Sequence, residues 1–110
     1  MENQTQTLTE LRSSLKEIDM MRRVKDVTDA ERDVLEQAAV ALRDAERILI
    51  AKIQSQFIKD MEKETAALNQ QAKDIRSRVT KMNKMPNKVL AEIQTVLKTV
   101  VKILIAVAKW

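Results

Sequence analysis

The chain of 110 residues has no cysteine, histidine, glycine or tyrosine, and only one proline, one phenylalanine and one tryptophan. Each absence excludes something. Without cysteine there is no disulfide, no thiolate ligand and no thiol nucleophile. Without histidine the side chain that most readily moves protons near neutral pH is missing, and with it the commonest metal ligand. Without glycine no phosphate-cradling loop can be built. Ser13, Ser14, Ser55 and Ser77 therefore lack an activating base, and we expect no enzyme, no cofactor and no metal. Two carboxylate pairs lie one turn apart, Asp29 with Asp33 and Asp60 with Glu64. They are read as partners of the helix dipole and of neighbouring Lys or Arg, because the di-iron pattern of helical bundles needs histidine.

The lack of glycine and proline also speaks to structure. From Thr28 to Met85 the chain meets neither, and the only proline, Pro86, follows at once. Inside a helix glycine costs about 1 kcal/mol and proline about 3 kcal/mol. A chain free of both and rich in Ala, Leu, Glu, Lys, Gln and Arg is expected to be all-α. At this length it forms a single helical domain, 1–110, in which one compact core buries less of its apolar surface than a larger domain would. Partners or oligomers are therefore expected. The polar start, MENQTQTLTE, is not a basic segment followed by an apolar run. It predicts no secretory signal and leaves a cytoplasmic location as the default.

The periodicity predicts three helices, at about 8–25, 29–83 and 86–109. Thr7 and Glu10 fit a capping box that would open the first, after which Leu8, Leu11, Leu15 and Ile18 share a face. Thr28 and Glu31 form a second box at the start of the next helix, with Asp29, Glu31 and Asp33 in its positive first turn. That helix carries Leu35, Ala38, Leu42, Ala45 and Leu49 at 3-4 spacing, then Ile53, Phe57, Met61 and Thr65 at steps of four, then Leu68, Ala72, Ile75, Val79 and Met82 at 3-4 spacing again. Each step of four advances the stripe about 40°, so the two halves should face neighbours about 160° apart. The run Ile48–Ile53 is apolar nearly all round, as where a helix is covered from several directions. Read as one continuous helix, the segment would be about 80 Å long, the centre of an elongated, coiled-coil-like bundle.

Pro86 closes that helix and opens the last. Residues 86–110 form a strongly apolar amphipathic helix whose face holds Leu90, Ile93, Val96, Leu97, Val100, Val101, Ile103, Leu104, Val107 and Trp110. Its β-branched residues admit a strand, but its polar residues recur at three and four, not two. A surface helix usually carries three apolar positions in seven, and this one carries more. In a plain helical hairpin several of them would stay in water, at about 1.5–3 kcal/mol of unused burial each. This leads to the first functional reading, a non-enzymatic assembly or interaction subunit that forms a homo-oligomer or binds a helical protein partner through coiled-coil packing.

The alternative is membrane association, as a pore-forming or surface-bound helix. The basic flank and terminal Trp110 favour it. A transmembrane span would place Glu92, Lys98 and Lys102 in the hydrocarbon. A third reading uses the basic residues Lys73, Arg76, Lys81, Lys84 and Lys88 to coat a nucleic acid, but that region offers no aromatic platform for bases, and a solvated face explains the charges equally.

Overall fold

A computed structural model describes residues 4–24, 27–54, 61–82 and 85–109. Among them there are four helices and no strand: α1 (Gln4–Met21), α2 (Asp29–Ile53), α3 (Met61–Lys81) and α4 (Asn87–Lys109). The all-α expectation holds, while the three-helix division and the long rod do not.

α1 begins at Gln4, before the Thr7 box. Thr7 is therefore inside the helix, buried rather than capping it. The polar residues ahead of it continue the helix at little cost, and a box is only a local signal. α1 stops at Met21, short of the expected Lys25, a residue outside the described ones. Beyond it Arg23 N–H and Val24 N–H donate to the carbonyls of Met20 and Met21, a tightened last turn. The side chain of Arg32, one turn into α2, then donates to the carbonyls of Arg22 (2.9 Å), Val24 (3.3 Å) and Val27 (3.4 Å). A guanidinium supplies here what a glycine C-cap commonly supplies.

The second box is formed as expected. Glu31 N–H donates to Thr28 Oγ1, and Thr28 N–H donates to the Glu31 carboxylate, each at 3.1 Å. The helix it opens does not run to residue 83. α2 ends at Ile53 with Gln54 as its C-cap, and α3 starts at Met61 and returns along α2. Residues 55–60, between them, lie outside the described residues. The pairs Arg47–Glu64, Asp44–Gln71 and Gln37–Arg78 descend on one helix as they ascend on the other, so the two are antiparallel. The rotating stripe thus marks two helices, not one bent helix. An apolar stripe that turns halfway along a rod leaves each half half-covered, whereas folding back gives both halves one core. The absence of Gly and Pro did not forbid the break, because tertiary packing supplies most helix stability in proteins.

Successive helices alternate in direction. Arg12 pairs with Glu46 (2.9 Å) and Arg43 with Asp19 (3.6 Å) between α1 and α2, and Lys102 pairs with Glu10 (2.8 Å) between α4 and α1. α2 and α4 lie along the short diagonal of the bundle and touch each other and both flanking helices, while among the described residues α1 and α3 do not meet. This explains the all-round apolarity of Ile48–Ile53: α2 is covered by three neighbours. Ala38, Ala39, Ala41 and Ala45, all fully buried, keep its surface low enough for that close approach. The molecule measures 42 × 24 × 21 Å with a radius of gyration of 14.2 Å. A globule of this length should have about 13 Å.

The carbonyl of Pro86 accepts from Val89 and Leu90 N–H, so the proline occupies the half-helical residue that starts α4. α4 sends Val89, Ile93, Val96, Leu97, Val100, Ile103 and Val107 into the common core.

Candidate interaction groove

The ten residues predicted as one oligomer or membrane face do not form one face. Ile93, Val96, Leu97, Val100, Ile103 and Val107 are buried inside the bundle, Leu90, Val101 and Leu104 are half-buried, and Trp110 lies outside the described residues. The hairpin of α2 and α3 supplies the second wall that a two-helix reading lacked. The burial argument for a partner therefore no longer covers the whole of α4. It covers a strip on the outer side.

That strip is the floor of an open groove of about 860 Å³ between the C-terminal end of α3 and the length of α4. Leu90, Leu97, Val101 and Ile105 recur along it at helical spacing, and Val79 of α3 closes one side. Ile105 is 52% exposed, and with Met20 and Val40 it makes up the large apolar side chains left open to water among the described residues. α3 runs along α2 for its length, through Arg47–Glu64, Asp44–Gln71 and Gln37–Arg78, and lines the groove beside α4 with Arg76, Val79 and Thr80. The outer side of α4 beyond Leu97 is left uncovered.

The charged side chains around the groove are Arg76, Lys98 and Lys102, with no carboxylate among the lining residues. Of the predicted basic residues, Lys73, Arg76, Lys81 and Lys88 are exposed, Arg76 alone lines the groove, and Lys84 is outside the described residues. Lys98, Val79 and Ile105 belong to the groove and were not among the predicted residues. Ile105 and Val79 could be read from their apolar periodicity, but their pairing needed the position of α3. On the α1 side of α4, Glu92 has its carboxyl pushed up, first by burial and then by the charge of Glu17, and its Oε1 is buried without a hydrogen-bond partner.

The carboxylates weighed as cation sites have other engagements. Asp29 pairs with Arg32, Asp33 with Arg78 and Glu64 with Arg47, while Asp60 falls outside the described residues. No group of three metal-ligating side chains occurs among the described residues. No helix there is long and apolar enough to cross a membrane. Compared with protein-family models, curated proteins and solved structures, the chain gives no match.

Proposed function

We propose that this protein is a non-enzymatic interaction subunit that receives an amphipathic helix in the groove along α4. One observation carries the reading: a bundle that otherwise closes its core leaves half-buried Leu90 and Val101 and exposed Ile105 along an open groove, at helical spacing with buried Leu97. An apolar groove of this kind is the counterpart of an apolar helix face, whose anchors recur at three and four residues. Chemistry finds no support in the same place. Thr80 is the one hydroxyl lining the groove, and no carboxylate stands beside it to act as its base.

The test is titration of the full chain with a synthetic helical peptide carrying a leucine stripe and neutral glutamine flanks, against a scrambled control. The expected outcome is saturable binding by the striped peptide alone, with methyl resonances of Leu97, Val101 and Ile105 moving, and loss of binding in Ile105→Glu. Equal behaviour of the two peptides would sink the reading. The cationic rim favours a second reading, attachment to an anionic membrane surface. Trp110 is the only tryptophan, so a blue shift of emission on adding anionic vesicles, weakened by salt, would support that reading instead.

A further inference from the structure

We infer that the occupant of the α4 groove is a helix of another protein whose apolar stripe is flanked by carboxylates, and not a second copy of this chain. The inference rests on the helix-docking reading above and adds the identity of the partner surface.

Charge is the first support. The groove has a cation on each side, Arg76 on α3 and Lys98 on α4, with Lys102 one turn further on. Lys102 is held by Glu10 at 2.8 Å. Arg76 and Lys98 have no ion pair among the described residues, whereas Arg12, Arg22, Arg32, Arg43, Arg47 and Arg78 each reach a carboxylate. The protein thus pairs six of its eight guanidinium groups internally and leaves two without a carboxylate among the described residues, Arg23 beyond the end of α1 and Arg76 at the border of an open apolar floor. A docked helix with Asp or Glu beside its anchors would complete both positions, and a basic one would be repelled.

Symmetry is the second. A two-fold dimer places the same patch on both copies. Docked groove to groove, the Arg76 and Lys98 of both copies would gather at one interface whose lining holds no carboxylate, the nearby Glu10 being already engaged by Lys102. A head-to-tail arrangement needs a matching apolar strip elsewhere on the molecule. Outside the groove, the large apolar side chains exposed among the described residues are Met20 on α1 and Val40 on α2, two single residues on separate helices. Neither makes a stripe. Shape is the third support: from Leu90 to Ile105 the floor extends about 22 Å, which matches a helix of about four turns.

The experiment uses the full chain and three peptides of about 16 residues with one leucine stripe and Glu, Gln or Lys flanks. Calorimetry at low salt should rank them Glu above Gln above Lys, with about tenfold between the first and the last. The spread should collapse at about 0.5 M salt, where screening is short-ranged. The double variant Arg76→Glu with Lys98→Glu should reverse the order with an unchanged circular dichroism spectrum, since both side chains are exposed. Equal affinity for all three flanks would overturn the inference while leaving the docking reading intact, and no binding by any peptide would remove both. Self-association at tens of micromolar that Ile105→Glu abolishes would put a second copy in the groove and overturn the inference. So would anionic vesicles that displace the Glu-flanked peptide.

Discussion

At the scale of single residues, three side-chain oxygens among the described residues are buried without a hydrogen bond, on Asp19, Gln71 and Glu92, and in Glu92 burial also displaces the titration. Its carboxyl lies against α1 facing Glu17, its Oε1 unpartnered. Burial is the larger cause of its raised pKa and Glu17 the smaller. Because the folded state holds this proton more tightly than the unfolded chain, stability falls as pH rises from the unfolded carboxylate value through the raised folded one. At neutral pH the folded state carries the full penalty. Glu92→Gln should therefore raise the melting temperature at pH ~7, and the difference from the native chain should vanish at pH ~3.5, where the carboxyl is protonated in both states. Identical melting curves at neutral pH would refute the assignment.

At the scale of elements, the joint between α1 and α2 shows how a glycine-free chain turns. The capping box of Thr28 and Glu31 satisfies amides that start α2, and Arg32 collects the carbonyls of Arg22 and Val24 beyond the end of α1 and of Val27 just before α2. One side chain thus belongs to two helices. Arg32→Ala should cost about 2 kcal/mol in urea unfolding, the order expected when carbonyls lose a charged donor. Arg32→Lys should recover little of it, since an ammonium lacks the fork that reaches several acceptors at once. A loss below ~0.5 kcal/mol, the range of ordinary surface changes, would mean that water replaces the guanidinium without penalty.

At the scale of the whole molecule, the fold-back of α3 on α2 converts an expected rod into a four-helix bundle with one core. Leu42 and Ile75 separate the two architectures. In a continuous helix they sit far apart, and the losses from Leu42→Ala and Ile75→Ala, about 2–5 kcal/mol each if buried, should add. In the bundle the Gln37–Arg78 and Asp44–Gln71 bonds bracket both positions, and both belong to a single buried cluster. A double-mutant cycle should then depart from additivity by at least about 0.5 kcal/mol.

Local signals in the sequence determined the helical class, the start of α2, the start of α4 at the proline and the apolar excess of α4. These depend on neighbours within a turn or two: a Thr and a Glu three residues apart, a ring that cannot donate, a stripe at 3-4 spacing. The same stripe revealed that Leu35–Leu49 and Leu68–Met82 face different ways, but not whether a bend or a break separates them. Returning α3 along α2 buries two stripes in one core, so the decision belonged to contacts between residues far apart in sequence. The groove was beyond local signals for the same reason. Leu97 and Val101 are neighbours on one helix row and both line the groove, yet the first is buried and the second half-buried, because Arg76, Val79 and Thr80 of α3 stand beside only part of α4. Periodicity marks which residues avoid water, and only the positions of the neighbouring helices determine which of them succeed.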